Sequence, residues 1–408
     1  MPEKPLHILN ICNRVVYPPN DGGTISALAA ANGLAEQGCE VTIFALNPDK
    51  HFVDVQTLPA EFTQRFHLKT YNVNTDVTTL GAVANLFSPH SYHTIRFNID
   101  GYRTQLIQLL QEQHFDIVHI EGVHMAWYIP EIRKHSTARI ILRAPNVEHQ
   151  LWESTANSQT NILKKWYLSI QVERYKKFEI HALQHVDAVV GLSPEDVQFF
   201  AQYVPKERCH CAPTPVDTSA YQEQHIHRNA NTVFHLGDLG WQQNLLAVEW
   251  FLQHVWPLVH KHTPQLRFSI AGRNIPQTIN AHNVPNVDVI GDVPSAAQFM
   301  LANNIMVVPL FAGGGIRIKI IEGMAAGNCI VTTPLGAQGL GVTHKQQLLI
   351  AQTPQEFAEA IVHYANNPES ARHITENARK FTQDNFEANT IAKAYTEFYR
   401  HIASMPPR

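Results

Sequence analysis

The sequence predicts an α/β protein of two parallel-sheet domains, and three observations carry that expectation. The chain has 408 residues, more than one ordinary core needs and suited to two domains of about 150 to 200 residues each. Short β-branched runs alternate with longer amphipathic stretches along its whole length, the pattern of parallel strands joined by crossover helices. Between residues 204 and 231 that alternation lapses into Pro, His, Gln and Asn, which reads as a linker between two series of strands.

Taken in order, the first series is 7–12, 40–46, 117–121, 139–142 and 188–192, mostly unbroken apolar runs as expected of strands buried on both faces. Within the linker only 209–216 reads as ordered. The second series is 233–236, 266–271, 287–290, 305–310, 329–332 and 347–350. From about 385 to 402, Phe386, Ile391, Ala394, Tyr395, Phe398 and Tyr399 fall near one helical face, so a final helix must bury that stripe. The expected division is residues 1–212 with a closing helix at about 385–408, and residues 213–384.

Composition excludes several classes. A formal charge of −4 with cations spread along the chain leaves no nucleic-acid footprint. The five cysteines are odd in number and scattered, and the start MPEKPLHILNIC lacks the apolar segment of a secretory signal, which predicts a reducing cytoplasm. Apolar stretches such as 305–311 are far short of a bilayer span. Cys209, His210 and Cys211 lack a second pair at zinc spacing, so no metal is expected. The 24 histidines fall largely in polar segments and carry no function as a count. One segment, Trp152 with Ile162, Leu163, Lys164, Lys165, Trp166 and Tyr167, is basic and aromatic, and fits either an interfacial membrane contact or packing between domains.

Chemistry concentrates in three places. Phe311-Ala-Gly-Gly-Gly-Ile-Arg-Ile-Lys-Ile-Ile-Glu-Gly-Met-Ala-Ala-Gly327 is a glycine-rich turn leaving a strand and opening a helix. Helix N-termini combine unpaired N–H donors with a positive dipole end, and Arg317 and Lys319 add formal charge, so a diphosphate is the natural guest. Glu322 lies a turn further in, where it either takes ribose hydroxyls or pairs with Lys319. Asn13-Arg-Val-Val-Tyr-Pro-Pro-Asn-Asp-Gly-Gly-Thr24 repeats the strand, glycine loop and helix start, with a helix expected from near Thr24 and with Gly22 and Gly23 letting backbone approach a ligand. The third is Arg143-Ala-Pro-Asn-Val-Glu-His149, where Asn146, Glu148 and His149 follow a strand, as Glu121 and His124 follow the one before. No dinucleotide or P-loop fingerprint is present.

Together these segments resemble the family-four, group 1, retaining glycosyltransferases of GT-B architecture, over most of the chain and in the family's motif order. The carriers are Tyr17-Pro-Pro-Asn-Asp-Gly-Gly23, Phe115-Asp-Ile-Val-His119, Asn146-Val-Glu148 and Asp187-Ala-Val-Val-Gly-Leu-Ser193, then Val216-Asp217, Leu236-Gly-Asp-Leu-Gly-Trp-Gln-Gln-Asn244, Ile270-Ala-Gly272, Gly291-Asp-Val293 and 319–327. Trp241 with Asn244 is similar to a branch linked to bacterial surface polysaccharides. The resemblance implies two Rossmann-like domains facing across a cleft and transfer of a sugar, with retention, from a nucleotide-diphosphate sugar to a hydroxyl of a glycan or lipid-linked acceptor. It implies no metal or other cofactor.

By the same resemblance Arg317 and Lys319 hold the diphosphate, Glu322 takes the ribose and the Gly22-Gly23 loop closes over the phosphates. Gly237, Gly314, Gly315 and Ile316 supply donor-binding backbone, and backbone near Val293 meets the base. Glu121, Asn146 and Glu148 stand on the acceptor side. The chain departs from the family in having Gly314 eight positions before Glu322, where a glutamate is usual, and Asp238 with a Gln-Gln-Asn run where Arg and Lys are usual. Pro145 replaces a histidine near the donor sugar, and His149 and His124 are the candidates for its part. Two other readings stand beside transfer: a sugar-nucleotide epimerase of the same fold, and a catalytically inactive nucleotide-sugar binding subunit. The expected setting is cytoplasmic, including the inner face of the plasma membrane.

Overall fold

The computed structural model describes residues 4–221, 227–277, 279, 284–313 and 315–408. The chain divides into two compact units, residues 1–214 with 389–408, and residues 215–388.

The first unit holds a seven-stranded sheet: β1 His7–Cys12, β2 Glu40–Pro48, β3 Lys69–Val73, β4 Ile117–Glu121, β5 Arg139–Ala144, β6 Ala188–Gly191 and β7 Cys209–Cys211, ordered β3-β2-β1-β4-β5-β6-β7. Every pairing is parallel. The order reverses between β2 and β4 around β1, so the loops after β1 and β4 splay apart and open a crevice at the strands' carboxyl ends. Because the sheet is covered on both faces, successive residues of β1 serve different cores: Leu9 and Ile11 pack with Leu106, Tyr128 and Leu183, whereas Ile8 and Cys12 pack with Ala31, Tyr395 and Tyr399.

The second unit holds six strands, β8 Thr232–Leu236, β9 Arg267–Ala271, β10 Val287–Gly291, β11 Ile305–Val308, β12 Cys329–Thr332 and β13 Leu349–Ile350, ordered β10-β9-β8-β11-β12-β13 and again all parallel. Its switch lies at β8, between β9 and β11. The unit's entry and exit lie side by side, since the Val216 amide donates to the Phe386 carbonyl at 2.8 Å and Val216 bridges to Glu387.

Three elements differ from the sequence expectation. β3 has no apolar run because it is an edge strand whose residues are exposed or half-buried. β7, assigned to the linker, is the last strand of the first sheet. The closing stripe is divided between two helices, Pro368–Phe386 and Ala388–Ser404, with extended Glu387 between them (ψ 132°). Phe386 joins a core of the second unit, while Ile391, Tyr395, Phe398 and Tyr399 cover the first. Among the described residues no helix is long and apolar enough to cross a membrane.

Candidate active site

In the second unit the site is built where β8 ends and the helix Ile318–Ala326 begins. That helix has Arg317 at its N-cap, with no side chain capping its amides, so the positive end of the helix is left for another acceptor. Gly313 and Gly315 turn the approach with φ of 103° and 77°, a region side chains avoid. Gly314 lies outside the described residues. Arg317 donates from Nη1 to the Gly315 carbonyl at 2.5 Å, which folds the guanidinium over the turn.

Lys319 extends from the first turn toward β8. Its Nζ donates to Asn244 Oδ1 at 3.1 Å, and Asn244 Nδ2 donates to the Asp238 carbonyl at 2.8 Å, fixing the amide that aims the ammonium. A Cβ on Gly237 would lie 2.8 Å from that Nζ, so a glycine at the end of β8 leaves room for the cation. Burial, then the Arg317 charge, pulls the Lys319 ammonium from 10.5 down to about 8, and burial lowers Arg317 to about 10. Two desolvated cations at a helix start whose N-cap side chain makes no capping bond favour an anion there.

His235, fully buried on β8, borders the same space. Its Nδ1 donates to the Val307 carbonyl at 3.0 Å, which leaves Nε2 as a lone-pair nitrogen with no hydrogen-bond partner among the described residues. Burial and the Lys319 charge push its pKa down to about 3, so the ring is neutral. Deeper in the helix, Glu322 accepts from the Tyr221 hydroxyl at 3.1 Å, and burial raises its carboxyl. Ile316 and Val293 are half-buried at the edge of this unit's core.

The first unit carries a cavity of about 850 Å³ at the carboxyl ends of β1, β4 and β5, lined among others by Arg14, Gly23, Glu121, His124, Asn146 and Glu148. Gly22 and Gly23 open the helix Gly22–Glu36, two residues earlier than Thr24, because Asp21 caps it. Asp21 accepts from the amides of Gly23 (2.9 Å) and Thr24 (3.1 Å) and pairs with both Arg14 terminal nitrogens (2.8 and 2.6 Å). Burial alone would raise the Asp21 carboxyl, but Arg14 and the amides outweigh it and hold it below its usual range.

Glu121 forms the cavity floor. Arg143 donates to its Oε1 at 2.6 Å and His119 to its Oε2 at 3.0 Å. Arg143 also reaches Ser26, while His119 Nδ1 meets the Tyr399 hydroxyl at 3.0 Å and Tyr399 meets Tyr395 at 2.8 Å. This chain of buried groups joins the cavity to the closing helix of the same unit. Glu148 stands differently: Asn146 donates to it at 3.2 Å, and burial, with Glu179 and Asp196 nearby, raises its carboxyl from 4.5 to about 7. His124 lines the cavity with Nε2 3.0 Å from the Tyr175 hydroxyl, and burial, His93 and Arg96 lower it to about 3. His149 is buried off the wall, its Nδ1 donating to Glu179 Oε2 at 2.5 Å.

Comparison with known proteins places this geometry. The family profile described as Glycosyl transferases group 1 matches residues 230–367, and the profile Glycosyltransferase Family 4 matches residues 20–220. The chain belongs to the group 1, family-four glycosyltransferases. A Klebsiella pneumoniae relative, named as an uncharacterized 44.6 kDa protein in cps region, is 23% identical over 391 residues, covering 92% of this chain and 95% of its own length. Among solved structures, HepE from Anabaena in complex with UDP superposes with a TM-score of 0.66 at 13% identity, over 97% of this chain and 100% of its own. Sucrose-phosphate synthase from Thermosynechococcus elongatus gives 0.69 at 16%, over 97% and 99%. The architecture is GT-B.

In this glycosyltransferase, Arg317, Lys319, Gly315, Ile316 and Glu322 lie on one turn and helix of the second unit, with Gly237 against Lys319. Glu121, His124, Asn146 and Glu148 share the cavity of the first unit with Gly23, and His149 stands outside that lining. Sequence reasoning missed His235 and His93. His93 lines the first unit's cavity, stacks on Trp152 at 3.7 Å and leaves a buried Nε2 without a hydrogen-bond partner among the described residues. Neither residue sits in a glycine loop, so no local signal marks them.

Proposed function

We propose that this glycosyltransferase transfers a sugar, with retention, from a nucleotide-diphosphate sugar to a hydroxyl of a glycan or lipid-linked acceptor in surface polysaccharide or glycoconjugate synthesis. The observation that carries the reading is Lys319, a buried ammonium aimed by Asn244 beside an uncapped helix start. In this reading Arg317 and Lys319 neutralise the leaving diphosphate, and the amides of Gly315 and Ile316 complete its cradle. Glu322, beside Tyr221, takes the ribose, and backbone near Val293 meets the base. The crystal complexes of HepE with UDP and with UDP-glucose support a uridine donor. The cps-region position of the Klebsiella relative supports the polysaccharide setting.

The acceptor belongs at the carboxyl end of the first sheet, where Glu121, Asn146 and Glu148 gather. Glu148 is the group suited to receive the hydroxyl proton, because a carboxyl with a pKa near 7 can take and release it at neutral pH. The Gly22-Gly23 loop closes over the donor, and His124 contributes through the Tyr175 pair. His149 supports the wall through Glu179. Fixed cations supply the electrostatic stabilisation, so no metal is assigned.

Calorimetric titration with UDP, GDP, ADP and TDP sugars tests the donor site. One nucleotide binds, and Lys319→Ala weakens it by roughly a hundredfold, as loss of one well-placed charged contact does; equal affinity in wild type and variant sinks the assignment. Activity persists in EDTA, and complete loss on chelation would show that the two cations do not suffice.

A further inference from the structure

Seven of the thirteen large apolar side chains left exposed among the described residues fall in two short segments of the first unit: Val77 (62%), Leu80 (85%), Val83 (55%) and Phe87 (92%), then Ile162 (83%), Leu163 (77%) and Trp166 (57%). The segments are far apart in sequence and joined in space. Asn85, at the end of the helix Thr79–Asn85, accepts from Gln171 Nε2 at 3.0 Å, and the carbonyls of Asn85 and Leu86 accept from Arg174 at 2.8 Å each. Gln171 also takes the Tyr92 amide at 2.7 Å. Gln171 and Asn85 are buried, so the anchoring is a polar network inside the unit and not a loose loop on its surface. Ile162 and Trp166 lie nine and five residues before Gln171 on the same long helix, about 14 and 8 Å along its axis.

The short helix has committed its inner side. A Cβ on Gly81 would lie within 3 Å of both the Tyr92 hydroxyl and the Thr78 side chain, so this side is pressed on its support while Leu80 and Val83 point away. At the other segment every residue from 160 to 166 is exposed, which makes the start of the helix Ile162–His185 a projection with Lys164 and Lys165 among its apolar side chains. Neither residues 77–99 nor residues 154–172 contain a carboxylate; Arg96 turns inward to the Thr75 and Tyr92 carbonyls and is answered by Asp76, so Lys164 and Lys165 supply the charge of the face. Apolar side chains flanking the exposed Lys164 and Lys165 match an anionic bilayer, with apolar groups entering the acyl boundary and lysines meeting headgroups.

We propose that this face docks the enzyme on an anionic lipid surface. Val77 belongs both to the face and to the wall of the first unit's cavity, as does the Thr78 that caps the short helix, so docking brings the mouth of that cavity against the headgroups, where an acceptor carried on a lipid presents its sugar. The second basic groove of this unit, near Trp127 and Phe178, does not compete for the role: Arg133 there is already paired with Asp187 at 2.6 Å, and Lys177 with Glu173 at 3.6 Å.

The test is sedimentation of the full chain with vesicles of phosphatidylcholine alone and of phosphatidylcholine mixed with phosphatidylglycerol. Wild type sediments with the anionic vesicles, less so as salt rises. The pairs Leu80→Glu with Phe87→Glu, Ile162→Glu with Trp166→Glu, and Lys164→Glu with Lys165→Glu each weaken binding roughly tenfold or more. All six positions are exposed or, for the lysines, solvated, so melting temperature and nucleotide affinity stay at wild-type values and certify the fold. Wild type left in the supernatant with both vesicle types overturns the proposal, as does binding that none of the pairs changes. So does a wild-type dimer in light scattering that the glutamate pairs dissociate, because a second copy would then cover the face. Vesicle binding needs no sugar transfer, so its failure is separable from failure of the donor assignment.

Discussion

In the proposed donor site, Lys319 makes nucleotide binding a function of pH. Its ammonium is lowered to about 8 by burial and by Arg317, and an arriving diphosphate favours the charged form. Affinity for the nucleotide is therefore flat below about pH 8 and weakens above it by up to about tenfold per unit, with proton uptake on binding. Calorimetry at pH 9 in two buffers of different ionisation heat reads that uptake directly; identical heats would mean the lysine is already protonated. Glu148 carries the opposite linkage. Its folded pKa, near 7, stands above the ordinary 4.5, so the folded protein retains a proton that the unfolded chain has released, and stability falls as pH rises through that window. Glu148→Gln removes the charge without changing shape, and its melting temperature relative to wild type is higher at pH 8 than at pH 5. An equal difference at both values would refute the buried carboxyl. What sequence made legible here was local: Arg317, Lys319 and Glu322 lie within six residues around one helix start. His235 and Asn244 are 84 and 75 residues from Lys319 along the chain, and only the closing of β8 against that helix brings them to it. The role of Asp21 was equally hidden, because a glycine pair reads as an open loop until the cap on its amides is seen.

At the scale of elements, the two strands that sequence lost, β3 and β7, are the edges of the first sheet, whereas the edges of the second, β10 and β13, were legible because they keep Val287, Val289, Ile290, Leu349 and Ile350. An edge strand half-faces solvent and needs no continuous apolar run, so its signal fades where its structural duty is lightest. The closing stripe was legible as amphipathic but not as interrupted, since nothing in the Phe386-Glu387-Ala388 sequence announces the extended residue that divides it. The second of those helices is held by two contacts that can be broken singly. Tyr399→Phe deletes the hydroxyl against His119 Nδ1 and strands a buried ring nitrogen, costing about 1 to 3 kcal/mol in denaturant unfolding of the first unit. Gly33, on the helix Gly22–Glu36, would place a Cβ 3.0 Å from that of Ala392. Gly33→Val therefore pushes the closing helix outward and lowers the melting temperature more than Gly38→Val, where a Cβ meets nothing within 4 Å although φ is +82°. Should the order be reversed, backbone strain and not helix contact governs this edge.

Over the whole molecule, the two-unit plan was readable because length, a central lapse in pattern and two strand series agree with one another. The return of the last helix to the first unit rests on tertiary packing. In folded form the second unit is an insertion: the chain leaves the first unit at Thr214 and rejoins it at Asn389, and the two crossing points lie together at Val216 and Glu387. A chain ending at residue 388 keeps the second unit whole and strips the first of Tyr395, Tyr399 and Ile402. In limited proteolysis that truncated protein loses the first unit's protected fragments and keeps those of residues 215–388. Survival of both sets would show the closing helix to be dispensable.

That order has a meaning during synthesis. The helix that seats the buried Arg143, Glu121 and His119 leaves the ribosome only after the whole second unit has been made, so the first sheet, although translated first, is the last to be completed. Until then the cavity of the first unit rests on a half-finished core, while the second unit has every one of its strands and can already close. A nascent chain would complete the helix start that carries Lys319 before the cavity floored by Glu121.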